Sequence, residues 1–92
     1  MSRYLVIWQS NPSQMPADQT EMAKIISNAR EWVNQDIKKG MITSWGAYMT
    51  QGKGYAVFEG NAPEVYKELV KSAPYFTYEI NEVLSIDELP DT

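Results

Sequence analysis

The chain contains neither cysteine nor histidine. Disulfides, thiol catalysis, Ser-His triads, zinc centres and a histidine-ligated haem each need one of these side chains at their centre, so all drop out together. Positive charge is scarce as well. Eight Lys and Arg stand against twelve Asp and Glu, a net charge of −4, and the stretch 79–92 carries Glu79, Glu82, Asp87, Glu88 and Asp91 with no basic residue among them. That balance disfavours nucleic acid and other polyanionic partners. No apolar run is long enough to span a bilayer, so no membrane partner is expected. The N-terminal stretch has one Arg and a short apolar segment, without the length or small-residue cleavage site of a secretory signal; cytoplasmic location is the expectation. Carboxylate, phenol, lysine and amide remain for chemistry, and neither a metal nor a cofactor is expected.

A chain of 92 residues is one domain. A protein of this mass buries only about two thirds of the surface its unfolded chain exposes, so a monomer is marginally stable unless it borrows core from a partner. Turn chemistry and apolar periodicity divide the sequence as follows. Arg3–Gln9 reads as a strand ended by Ser10-Asn11-Pro12-Ser13. A long helix starts near Asp18, with Glu21 completing a capping box, and runs to Lys39, where Gly40 stops it. Its apolar stripe is Met22, Ile25, Ile26, Ala29, Trp32, Val33 and Ile37, while Met15, Met22, Met41 and Met49 read as packing filler. Met41–Thr50 has strand length, and Gln51-Gly52-Lys53-Gly54 turns it back into Tyr55–Glu59. Asn61 caps a second helix with Pro63 in its first turn and Val65, Tyr66, Leu69 and Val70 as its buried stripe. Tyr75–Ile86 is the last strand, with an irregularity expected near Asn81-Glu82 because Ile80 and Val83 differ in parity. A domain over 1–86 and an acidic tail over 87–92 complete the organisation.

The order βαββαβ, as two split βαβ units, gives an α+β ferredoxin-like plan: a four-stranded antiparallel sheet with both helices on one face. The other face is bare. Taking Leu5 and Ile7 as the helix-facing pair of the first strand places Tyr4, Val6 and Trp8 on the bare face, where Tyr55 and Val57 can join them. An aromatic row of this kind needs a partner or a ligand.

Lys53-Gly54-Tyr55-Ala56-Val57-Phe58 looks like the aromatic strand motif of RNA-recognition modules, which share the topology. Val57 stands where the second stacking aromatic belongs, the charge is of the wrong sign, and the first helix is roughly twice the length usual for those modules. A different likeness fits better. Trp45 on the second strand, Tyr55-Ala56-Val57-Phe58-Glu59 on the third, and Ser72-Ala73-Pro74-Tyr75-Phe76-Thr77-Tyr78 leading into the fourth resemble the dimeric α+β barrel proteins, within them the muconolactone isomerase-like group. The resemblance implies a homodimer, with larger rings of dimers possible, in which two bare sheet faces close into a barrel around a small apolar cavity. It also implies an activity drawn from a wide range, including isomerases and cofactor-free monooxygenases.

On that plan Tyr4, Trp8, Thr43, Trp45 and Tyr55 would line the cavity as ligand contacts, the set Thr43, Trp45 and Ala47 being preferred over Ile42, Ser44 and Tyr48 so that Ile42 packs under the helices. Thr77 and Glu79 share the cavity parity of the last strand while Phe76, Tyr78 and Ile80 pack under the helices. Glu79 would then be the one acid in an aromatic pocket, a candidate general base for proton abstraction beside a carbonyl, with Tyr4 or Tyr55 donating to the developing enolate. The plainer alternatives are a solvated Glu79 at the rim, paired with Lys53 or Arg3, and Tyr4, Trp8 and Tyr55 as dimer core. Glu59 reads as a strand-end surface charge. Asn28 and Trp32, one helical turn apart, could edge a pocket in the manner of the cofactor-free monooxygenases, although Trp32 reads more simply as core. The reading is thus a small apolar, aromatic or lactone-like molecule bound or converted in the barrel, or a non-catalytic structural or ligand-sensing barrel.

Overall fold

The computed structural model describes residues 2–49 and 52–91. Strands β1 (Ser2–Ser10), β2 (Ile42–Ala47), β3 (Lys53–Gly60) and β4 (Phe76–Val83) form one antiparallel sheet in the order β2-β3-β1-β4, and helices α1 (Gln19–Lys38) and α2 (Ala62–Leu69) complete the expected βαββαβ order. Short 3-10 segments follow α2 at Val70–Ser72 and β4 at Ile86–Glu88. No described helix is long and apolar enough to cross a membrane.

The helix ends follow the local chemistry of the sequence. Asp18 caps α1, but its carboxylate accepts from the Thr20 amide at 2.9 Å, one position earlier than a capping box with Glu21 would use. At the other end Gly40, with φ +79°, lets the Gly40 amide reach the Ile37 carbonyl at 3.1 Å and the Met41 amide reach the Asp36 carbonyl at 3.0 Å. This is a Schellman stop, and only glycine enters that backbone region without strain. Asn61 caps α2, its side-chain oxygen accepting from the Glu64 amide at 3.0 Å.

The core lies between the sheet and the helices. Val6, Ile42, Ala56 and Phe58 from the sheet meet Val65 and Leu69 of α2, and Tyr4, Trp32, Val33, Met41 and Tyr78 pack around them. Residues paired across a ladder share a face, so the register settles which side each strand residue takes. Tyr4, Val6 and Trp8 pair with Phe58, Ala56 and Gly54 on one side and with Glu82, Ile80 and Tyr78 on the other. All belong to the helix-facing side, because Val6 and Phe58 are buried beneath α2.

The expected parity of β1 is therefore reversed. Leu5 and Ile7, with Val57 and Tyr55 beside them, lie on the bare face, and Tyr4, Val6 and Trp8 lie under the helices. The Trp8 indole explains the choice: it lies over Gly54, where any side chain would run into the ring, and it stacks on Trp45 at 5.4 Å with Phe76 edge-on at 6.1 Å. A bulge corrects β2 as well. Ile42 pairs with Phe58 but Ser44 pairs with Val57, so the extra residue at Thr43 inverts the alternation and returns Trp45 to the helix side with Ile42. In β4, Phe76, Tyr78 and Ile80 take the helix side as expected. The expected irregularity near Asn81-Glu82 does not form: pairing with β1 runs unbroken from Phe76 to Val83, which leaves Val83 on the bare face. Of the methionines read as filler, Met49 is fully exposed. Part of the expected turn, Gln51, and the end of the expected second strand, Thr50, fall outside the described residues.

Candidate functional site

The sequence-derived candidates separate onto two faces. Tyr55 and Glu79 share the bare face, both flanking Ile7 in one rung of the sheet, two strand spacings or about 10 Å apart. Tyr55 lays its ring over Gly46 and its hydroxyl is 3.0 Å from Ser44 Oγ. Glu79 is exposed and accepts from the Asn81 side-chain amide at 3.1 Å. Arg3, a possible partner of Glu79, pairs instead with Glu59 at 3.5 Å. Thr43 sits at the bulge, exposed, with its hydroxyl 3.5 Å from the Val57 carbonyl. Tyr4, Trp8 and Trp45 are on the opposite side. The Trp8 indole N–H donates to the Tyr55 carbonyl at 3.3 Å, and its ring lies between Trp45 and Phe76.

A second candidate lies on the helix side. A cleft of about 180 Å³ opens between the middle of α1 and the segment that enters β4. Ile25, Asn28, Ala29 and Trp32 line it from α1, at the three- and four-residue spacing that gives a helix one face. Lys71, Ser72, Tyr75 and Phe76 line it from the other side. Its walls are thus mostly apolar and aromatic with a few polar groups, the usual make-up of a small-molecule site. Phe76 links it to the Trp8–Trp45 stack.

Two of its lining residues, Trp32 and Lys71, are tied to a polar cluster at the α1–α2 junction. Glu68, in the last turn of α2, is only 8% exposed and accepts from the Trp32 indole N–H at 3.2 Å. The Lys71 ammonium lies 3.0 Å from one Glu68 oxygen and 2.9 Å from the other. Burial works against ionisation of Glu68, but hydrogen bonds from Lys71, Asp36 and Trp32 outweigh it and hold the carboxyl below its ordinary value. The same bond to Glu68 raises Lys71 above the usual lysine range. Asp36, in the last turn of α1, is 1% exposed; burial first, then its hydrogen bond to Glu68 and that group's charge, push it up to about 6. Next to this group Ser72 donates to the Leu69 carbonyl at 3.1 Å and is hydrogen-bonded with the Tyr78 hydroxyl. With the serine proton committed to Leu69, Tyr78 is the donor of that pair. Burial raises the Tyr78 phenol above its ordinary value, so it holds that proton.

Sequence reasoning reached part of this site. The Asn28–Trp32 pair is visible as a one-turn spacing, and both residues line a cleft, while Trp32 also packs against the core, the simpler expectation. Asp36 and Glu68 escaped it. The one available signal was that each falls on the apolar stripe of its helix: Asp36 follows Trp32 and Val33 by four and three residues, and Glu68 follows Val65 by three.

No protein-family model matches the sequence, and no curated protein matches it.

Proposed function

We propose that this protein binds, and in a catalytic form converts, a small planar aromatic molecule in the cleft between α1 and the start of β4. The observation that carries the reading is the convergence on one concave surface of Asn28 and Trp32 from one helix face with Ser72, Tyr75 and Phe76 from the opposite wall. Aromatic walls provide stacking area for a flat apolar ligand, while the Asn28 amide and the Lys71 ammonium select one carrying an oxygen substituent. An Asn–Trp pair at one-turn spacing beside such a cleft is compatible with the cofactor-free monooxygenase branch of the barrel resemblance. The protomer is proposed to function as a homodimer joined through the bare sheet face, where Leu5, Ile7, Tyr55 and Val57 lie side by side.

The test is cavity filling. Ala29 forms part of the cleft wall without taking part in its hydrogen bonds, so Ala29→Phe should fill the space and leave the Trp32 and Lys71 bonds to Glu68 intact. With 2-naphthol as probe in isothermal titration calorimetry, wild type is expected to bind and A29F to lose at least tenfold in affinity while keeping a cooperative melt. Equal affinity in the two proteins would move the site elsewhere.

A second reading is favoured by the shared rung of Tyr55, Ile7 and Glu79 on the bare face. If two protomers close over that face, Glu79 becomes a desolvated base and Tyr55 a donor for proton transfer next to a carbonyl. Glu79→Gln then abolishes lactone isomerisation without changing the melting temperature; unchanged turnover of a lactone substrate in E79Q would eliminate this reading.

A further inference from the structure

We propose that Asp36 is a positioning residue for the cleft: carrying a proton, it donates to Glu68 and so fixes the carboxylate that holds the Trp32 indole and the Lys71 ammonium in the cleft wall. Its functional meaning rests on the cleft reading above, whereas the arrangement itself is a property of the free protein.

The geometry leads there by elimination. Asp36 Oδ2 is buried, and no hydrogen-bond donor reaches it among the described residues. A buried carboxylate left without a donor is too costly to keep ionised. The group that Asp36 meets across the helix junction is another acid, Glu68, and two neighbouring carboxylates out of water carry charge together only at a cost in stability. One proton between them removes the conflict by forming a charge-assisted O–H···O⁻ bond.

Which acid keeps the proton follows from the donors. Glu68 Oε1 receives both the Trp32 N–H and Lys71 Nζ, and Oε2 lies against the same ammonium, so Glu68 is the anion. The charges bearing on Asp36 from the surrounding elements are Glu68 of α2, Lys71 of the following 3-10 segment and Lys39 just beyond the end of α1. Lys71 is engaged by Glu68, and the partial relief from the two lysines does not outweigh burial and the Glu68 charge: Asp36 stays raised. Below a midpoint of about 6, Asp36 is the neutral donor.

The consequence reaches the ligand surface through one carboxylate. Trp32 and Lys71 are cleft walls, and both end on Glu68. Loss of the Asp36 proton sets a second negative charge against Glu68 and removes the donor that orients it, so the indole and the ammonium lose their fixed seat.

The test uses ligand-free protein and the Trp32 indole N–H resonance, assigned through W32F, followed by ¹H–¹⁵N NMR from roughly pH 4.5 to 8, a span that covers a raised carboxyl. In wild type the Trp32 signal is expected to move with a midpoint of about 6. In Asp36→Asn, whose amide donates to Glu68 at every pH, it is expected to stay fixed over the same range. The Trp8 and Trp45 indoles are internal controls. A Trp32 signal that is flat in wild type, or that titrates identically in D36N, overturns the proposal. Should D36N fail to fold, side-chain carboxyl ¹³C titration of wild type decides alone: Asp36 protonated well above the ordinary aspartate range beside an ionised Glu68 supports it, and Asp36 titrating as a free carboxylate overturns it. Since no ligand is present, failure of 2-naphthol to bind would count against the cleft reading and leave this result standing.

Discussion

At the scale of single residues, two positions concentrate the physics of this chain. Asp36 trades stability for a buried charge relation. Between its ordinary value of 3.8 and its value in the fold of about 6, the folded chain keeps a proton that the unfolded chain gives up, so rising pH favours unfolding across that window. Glu68 has the opposite sign: held low, it costs stability as pH falls below its ordinary 4.5. The pair is therefore most favourable with one proton, and the Asp36 cost at neutral pH is on the order of 1–3 kcal/mol. Asp36→Asn is expected to raise the melting temperature at pH 7 but not at pH 4.5, as calorimetry at the two pH values would show. Gly54 is the other position. A Cβ there would run into the Gly46 carbonyl and the Trp8 indole, both within the sheet, so Gly54→Ala should destabilise by about 1–3 kcal/mol in chemical denaturation. Glycine is used here for closeness of approach, not for its backbone angle.

At the scale of elements, the sequence was most legible where local chemistry acts alone. Asp18, Gly40 and Asn61 mark helix ends through capping groups within a few residues, and each does so in the structure. Asn61→Ala should accordingly cost about 1 kcal/mol, measurable as a shifted urea midpoint with unchanged slope. The sheet was legible in order but not in orientation. Tyr4 to Trp8 is apolar at every position, so alternation carries no sign of which face is inward; only the partners Gly54, Ala56 and Phe58 decide it. In β2 a single extra residue at Thr43 reverses the alternation, and nothing in Met41–Ala47 announces it. The same limit applies to the site. Asn28 and Trp32 lie on one helix and could be paired by counting, whereas Asp36 and Glu68 meet across 32 positions of sequence through the packing of two helices.

At the scale of the whole molecule, the protomer is less closed than its length requires. Its radius of gyration is 14.6 Å, where a compact chain of this length gives about 12 Å. Its accessible surface is 6586 Å², roughly 1,100 Å² above the value expected for a folded monomer of its mass. That excess is comparable to what one partner contributes to a stable interface, about 800 Å² or more. The bare face offers the apolar patch to supply it, so the proposed dimer predicts that the wild-type chain sediments as a dimer in sedimentation velocity and that Ile7→Lys converts it to monomers. A wild-type monomer at micromolar concentration would remove the dimer from the account.

Whether a small aromatic molecule binds in the cleft under α1 or against the bare sheet face is decided by backbone and indole ¹H–¹⁵N NMR during titration with 2-naphthol. For binding in the cleft, the Trp32 indole, the Asn28 side-chain amide and the backbone amides of Ala29, Ser72 and Phe76 are expected to shift together with saturation, while those of Leu5, Ile7, Val57 and Glu79 stay in place. Saturable shifts confined to Leu5, Ile7, Tyr55 and Glu79, or no saturable shift at Trp32 and Asn28, would contradict it.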